Sequence, residues 1–216
     1  RICLPSKFIG LYKEPILENP EVSLDLTNAK FDAHMFANTG ADISLAGPWQ
    51  CTLAMSFLND ENRQGRHGLK ECTKEYLGRE PASFEQIFGK LPPAKKGTVK
   101  KTIGDLIMEA LADPVRRLQA ADYASMDAYN TFCLRNFFDQ KLANIEMYPG
   151  CSSKDFFYNV ERHFTKVLWR MERRGFQIDK EYLKALLGPM EVRLTDIRAE
   201  FSRAAGQLIN LNSVYH

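Results

Sequence analysis

The sequence has no HExxH or HxxxH pattern, and its four histidines, His34, His67, His163 and His216, stand far apart. This argues against the common helical zinc sites, which place two imidazoles one turn apart. Five cysteines, Cys3, Cys51, Cys72, Cys133 and Cys151, are scattered without CxxC spacing, and their number is odd. That pattern argues against a disulfide framework and leads us to expect free thiols in a reducing compartment. No run of about 18 apolar residues occurs, so no membrane-spanning helix is expected. The opening "RICLPSKF" resembles neither a signal peptide nor a natural start, and "INLNSVYH" stops without a tail signal. We therefore expect a cytoplasmic piece of a longer protein. Repeats and low-complexity tracts are also absent. A strong excess of one charge is lacking: 29 basic against 27 acidic residues give a net charge of +2. Such a balance does not by itself point to nucleic acid.

What is present is an ordinary globular composition, 44% hydrophobic and 26% charged over 216 residues, sufficient for a proper core. Residues 7–18 carry a short helical pattern through Phe8, Leu11, Tyr12 and Leu17, and "EVSLDL" alternates like a strand. A helix from about Phe31 to Asn38 ends at Gly40, with Phe31, Met35 and Phe36 as its buried side. "WQCTLAMSFLND" reads as a helix, and "GLKECTKEYLG" as another stopped by Gly78. Residues 89–101 carry prolines, glycines and the lysines Lys90, Lys95, Lys96, Lys100 and Lys101, and read as an exposed loop. A long helix begins with Asp113 as N-cap and Pro114 at its first position. "EMYPGCSSKD" breaks the chain at Pro149-Gly150, and this sets the expected domain boundary. Two further helical segments stop at Gly175 and Gly206, with Gly188-Pro189 expected to kink or break the second.

Two short stretches concentrate chemistry. In "NAKFDAHMF", Asn28 lies one turn before Asp32, beside the apolar side of the helix. Helix-start chemistry accounts for this pair, with Asn28 as N-cap and Asp32 complementing the dipole; a functional carboxylate accounts for it equally well. In "DYASMDAY", Tyr123 and Asp127 are four apart and project from one helix face among Ala120, Ala121, Ala124, Ser125 and Ala128. Small neighbours let a substrate approach. A carboxylate that holds a divalent metal, with a phenol that positions activated water, suits this pattern. The bland alternative is a surface Asp beside a partly buried Tyr.

Taken together, the two stretches resemble the 3′–5′ proofreading exonuclease domain of family A DNA polymerases, the bacterial DNA polymerase I family. Asn28-Ala29-Lys30-Phe31-Asp32 is similar to that family's N-x-x-[YF]-D motif, and Tyr123 to Asp127 is similar to its Y-x-x-x-D motif. "TLAMSFLND", "GLKECTKEYLG" and "FEQIFGK" resemble the helices between them. "VERHFTKVLWRMERRGFQID" is similar to the segment that opens the polymerase domain, and "INLNS" to a thumb helix-turn. The likeness covers about residues 7–213.

The resemblance implies an α/β fold, ribonuclease H-like and of the DEDD exonuclease type, partial and mostly helical here, followed by an α-helical thumb segment. Residues 1–150 would be the exonuclease part and 151–216 the start of the polymerase domain. It implies Asp32, Tyr123 and Asp127 as catalytic residues, Asp32 and Asp127 as metal ligands, and Asn28 and Lys30 as contacts to the strand. Two Mg²⁺ or Mn²⁺ ions and a DNA partner, a single-stranded 3′ end or primer-template, follow from the same likeness. The family's first motif, D-x-E, lies ahead of the Asn28 motif in the family, and residues 1–27 do not contain it: Glu14, Glu18, Glu21 and Asp25 do not form one. Two alternatives stay open: an inactive exonuclease-fold scaffold or DNA-binding module, against which the presence of Asn28, Asp32, Tyr123 and Asp127 counts, and a stand-alone DEDD-type nuclease, against which the thumb-like tail counts. Lys30 reads either as a phosphate contact or as a solvated lysine. Lys166, Arg170, Arg173 and Arg174 read as a charged exposed face. Phe164, Leu168 and Trp169 read as core, and His67 as a helix-start residue.

Overall fold

A computed structural model describes residues 9–63, 66–92 and 101–207. The chain divides into two compact units, one up to Arg173 and one from Arg174 onward. The first unit opens with a short helix α1 (Gly10–Tyr12) that continues as a π-helical turn, Lys13–Leu17. The alternation in "EVSLDL" resolves into strand β1 (Leu24–Leu26). Helix α2 (Ala29–Asn38) follows, then a 3₁₀ turn Ile43–Leu45, then strand β2 (Trp49–Cys51). β1 and β2 pair in parallel, Leu24 opposite Trp49 and Leu26 opposite Cys51. Parallel neighbours require a crossover, which α2 supplies, so the unit is built on a βαβ core. Gly47 closes this core tightly: its N–H donates to the Asn19 and Val22 carbonyls, and a Cβ there would lie 2.6 Å from the Pro20 oxygen.

Two expectations are corrected here. Trp49–Cys51 is a strand, and the helix anticipated over "WQCTLAMSFLND" begins only at Thr52, as α3 (Thr52–Asn59). A buried strand of three residues that runs directly into a helix is too short for its period to separate it from that helix. The buried side of α2 is also not Phe31 and Met35, which are 57% and 45% exposed. Ala29 and Ala33 are fully buried instead, in a cluster with Ile43, Trp49, Cys51 and Trp169. The two alanines let the helix backbone approach the bulky tryptophans.

Helix α4 (Leu69–Leu77) ends at Gly78 in the left-handed conformation, φ +62°. α5 (Phe84–Phe88) starts with a capping box between Ser83 and Gln86. α6 (Ile103–Ala112), which the loop-rich region before it concealed, has its own box between Thr102 and Asp105. α7 (Pro114–Leu142) starts as expected, with the Asp113 carboxylate accepting from the Val115 and Arg116 N–H groups. Its length makes it the spine of the unit. Leu134, Phe138 and Leu142 pack with Met55, Cys72 and Phe157, while Ala120 packs with Phe88, Leu106 and Ala110.

His67 stands directly before Gly68, the N-cap of α4. It is buried, stacks on Phe57 at 3.6 Å, and shares a 3.0 Å hydrogen bond with Ser56 through Nδ1. Of the basic loop, Lys90 pairs with Glu85 and Lys101 with Glu109; Lys95, Lys96 and Lys100 lie outside the described residues, as do 1–8 and the "INLNS" stretch.

Pro149-Gly150 forms the turn between strands β3 (Glu146–Tyr148) and β4 (Cys151–Ser152), which are antiparallel. α8 (Ser153–Phe156), a π-helical stretch Phe157–Glu161 and α9 (Arg162–Arg174) follow. Phe157 and Trp169 join the clusters above, so this segment up to Arg173 belongs to the first unit. Phe164, anticipated as core, is 50% exposed because only the Thr165 and Trp169 side of α9 is buried. Lys166, anticipated on a free charged face, turns inward. Its ammonium donates to the carbonyls of Ser44, Ala46 and Gly47.

The second unit is a single helix among its described residues, α10 (Lys180–Ala205), capped by Asp179 and closed by Gly206 at φ +67°. Gly188-Pro189 does not break it. No described helix is long and apolar enough to cross a membrane. The α/β class rests on the parallel β1–β2 pair, and helices dominate the rest.

Candidate active site

Asn28 and Asp32 sit at the start of α2. The Asn28 side chain accepts from the Phe31 N–H at 3.5 Å and is the N-cap. Asp32 lies in the first turn, where the helix dipole favours a carboxylate. Asp32 is half-buried. Burial raises its pKa above the ordinary carboxylate value, and hydrogen bonding at Asn28 opposes the rise. A carboxylate taken partly out of water without an ammonium or guanidinium partner is costly, and no ion pair of Asp32 occurs among the described residues. Lys30 is neither free nor simply solvated: its ammonium bonds Glu172 Oε1 at 2.6 Å, and His34 Nε2 meets the other oxygen of Glu172 at 3.0 Å. Asn28 and Lys30 line a mostly apolar cleft of about 300 Å³ with Cys51, Leu53 and Phe57.

Tyr123 and Asp127 open into a second cleft, of about 310 Å³, together with Lys70, Arg79, Gln119 and Asn130. The Tyr123 ring lies edge-to-face against Phe88, with centroids 5.8 Å apart. Lys70 is the residue the sequence reading did not single out. Its ammonium lies 3.0 Å from Asp127 Oδ1 and 4.0 Å from the Tyr123 ring centroid. It touches both members of the Y-x-x-x-D pair at once. The only sequence signal was its place beside Leu69, at the margin of the α4 apolar stripe. The Lys70 and Asp127 side chains are 30% and 27% exposed, and ion pairs this open contribute about 1 kcal/mol or less. Arg79, also in the lining, donates to Asn130 Oδ1 at 2.9 Å.

The two halves are joined by hydroxyls. Thr131 donates to the Asp127 carbonyl at 2.8 Å, and Thr27 Oγ1 meets Thr131 Oγ1 at 2.7 Å. Thr131 has one hydroxyl proton and commits it to Asp127, so Thr27 is the donor between them. Thr27 immediately precedes the Asn28 cap. One turn further along α7, Arg135 Nε pairs with Asp25 of β1 at 3.2 Å. Strand β1, which launches α2, is thus fastened to the helix that bears Tyr123 and Asp127.

A divalent ion needs several oxygen donors; Mg²⁺ takes about six, some of them waters. Among the described residues no three His, Cys, Asp or Glu side chains converge, and the Asp127 oxygen is engaged by Lys70. These residues do not by themselves fit a divalent-metal site.

A family profile described as 3′–5′ exonuclease matches residues 9–143. The relatives include DNA polymerase I of Synechocystis sp., 29% identical over 209 residues, covering 95% of this chain and 19% of that protein. DNA polymerase I of Pseudomonas aeruginosa is 28% identical over 200 residues, covering 93% of this chain and 20% of the relative. DNA polymerase DpoZ of Acinetobacter phage SH-Ab 15497 is 26% identical over 190 residues, covering 86% of this chain and 27% of the relative. The chain spans about a fifth of the length of the bacterial relatives. With the profile running from α1 to the end of α7, and over the residues that carry both motifs, the chain belongs to the 3′–5′ exonuclease family of the family A DNA polymerases.

Proposed function

We propose that the chain is the proofreading 3′–5′ exonuclease region, with the start of the polymerase part, of a longer DNA-directed DNA polymerase. The observation that carries the reading is the Tyr123–Asp127 pair, open to a cleft on one face of α7. Residues 1–150 are assigned to the exonuclease part and 151–216 to the opening of the polymerase thumb. Asp32 and Asp127 are assigned as carboxylate ligands of Mg²⁺ or Mn²⁺, two ions in the complete site. Tyr123 is assigned to position the attacking water, and Asn28 and Lys30 to contact the strand. Lys30 must then release Glu172. The two carboxylates cannot fill such a site alone, so the reading requires further acidic donors. The substrate is the single-stranded 3′ end of DNA.

A second reading, a catalytically inactive exonuclease-fold module that binds DNA, is favoured by the ion pair that occupies Asp127. One experiment separates the two. In the longer protein, Asp127→Ala should abolish 3′–5′ degradation of a 3′-labelled strand in Mg²⁺ or Mn²⁺ and leave polymerisation nearly intact. Equal loss of both activities would mark Asp127 as structural, and no cleavage before mutation would establish the inactive module. The 216-residue chain alone should not cleave.

A further inference from the structure

We propose that Lys70 is a further substrate-binding residue of this cleft: its ammonium leaves Asp127 to meet a non-bridging phosphate oxygen of a single DNA strand. The inference rests on the reading of the cleft as the exonuclease site. Three observations carry it. Lys70 lines the cleft together with Tyr123 and Asp127, and Arg79 lines it as well. Its ammonium bonds one carboxylate oxygen and lies over the face of an aromatic ring, and both contacts are partly open to water. A phosphodiester offers the ammonium the same single charge and two acceptor oxygens as the carboxylate, and leaving an ion pair this open costs little. The other cation of the cleft is committed: Arg79 bonds Asn130 and Cys133 and stacks on Tyr129. Lys74, one turn along α4, is not in the lining and pairs in the open with Glu80, which is. Lys70 is therefore the cation best placed for a strand whose end approaches Tyr123.

The alternative is that Lys70 only neutralises Asp127. A charge-neutral pair of substitutions separates the roles. Fluorescence anisotropy would measure binding of a fluorescein-labelled twelve-nucleotide oligo(dT) to the 216-residue chain in EDTA at low salt. Lys70→Met combined with Asp127→Asn leaves the cleft charge unchanged. If Lys70 meets phosphate, this double variant binds about fivefold more weakly or worse, the order expected for one lost charge-assisted contact. Lys70→Arg should bind like the unaltered chain, and Lys101→Met with Glu109→Gln, an ion pair outside the cleft lining, should have no effect. Binding by the double variant equal to that of the unaltered chain overturns the proposal, as does failure of the unaltered chain to bind.

A second measurement needs no variant. Acylation of Lys70 by an amine-reactive ester, read by mass spectrometry, should fall when the strand is added; unchanged acylation refutes the contact. A longer protein without nuclease activity leaves this comparison standing, and a failed comparison leaves the cleavage test standing.

Discussion

Replacing Thr131 by Val tests whether the two halves of the candidate site are fastened to each other by hydroxyls. Val has nearly the shape of Thr, so packing in this buried position is conserved. The change removes the donor to the Asp127 carbonyl and the acceptor for Thr27. The Asp127 carbonyl keeps its helical partner, so the first loss is small. The second is larger, because the Thr27 hydroxyl is part-buried and is left without its partner. A lost hydrogen bond costs about 1 kcal/mol and an unsatisfied polar group about 1–3 kcal/mol, so the total should be near 2 kcal/mol. Thr131→Ser keeps the hydroxyl and loses one methyl, about 0.8 kcal/mol.

The assay is urea unfolding followed by tryptophan fluorescence. The sequence has two tryptophans, Trp49 and Trp169, which meet edge-to-face at 6.0 Å in the core of the first unit. The signal therefore reports that unit. With an m-value of about 2 kcal/mol per molar urea, Thr131→Val should lower the midpoint by roughly 1 M. A double-mutant cycle with Thr27→Val should return a coupling of about 1 kcal/mol. A Thr131→Val midpoint equal to the unaltered chain, or a Thr131→Ser loss as large as that of Val, would refute the reasoning.

Two other outcomes follow from the same geometry. Burial first, and the charge of Arg63 second, hold the His67 pKa below its usual 6.5, so the folded state favours the neutral ring. The stability this contributes is complete above about pH 6.5 and is lost as pH falls through the lowered folded value. The fluorescence-detected urea midpoint should therefore drop between pH 7 and pH 5, and His67→Gln should flatten that drop; an identical profile in the variant refutes it. Pro189 lies inside α10 without an N–H to offer, and proline costs about 3 kcal/mol relative to alanine in a helix interior. Pro189→Ala should slow amide hydrogen exchange in the flanking turns at least about tenfold, and unchanged protection would show that the helix is not weakened there.

Local chemistry made much of the molecule legible in advance. Asp113 and Pro114 announce the start of α7, Gly78 and Gly206 close α4 and α10, and Asn28 caps α2, because caps and left-handed glycines act within a few residues of themselves. The Asn28–Asp32 and Tyr123–Asp127 stretches, taken in order with the segment that resembles the polymerase opening, carried the resemblance to the family. What sequence could not decide was which side of an element is covered, and by what. Phe31 and Met35 outrank Ala29 and Ala33 in hydrophobicity, yet the alanines are buried, because only small side chains let α2 close on Trp49 and Trp169. Trp49–Cys51 becomes a strand only because Leu24–Leu26 lies alongside to pair with it. Lys70 is separated from Asp127 by 57 residues, and Thr27 from Thr131 by 104. No local pattern links such positions. Their meeting depends on the packing of α4 and β1 against α7, so the partner of the Asp127 carboxylate was decided by tertiary structure alone.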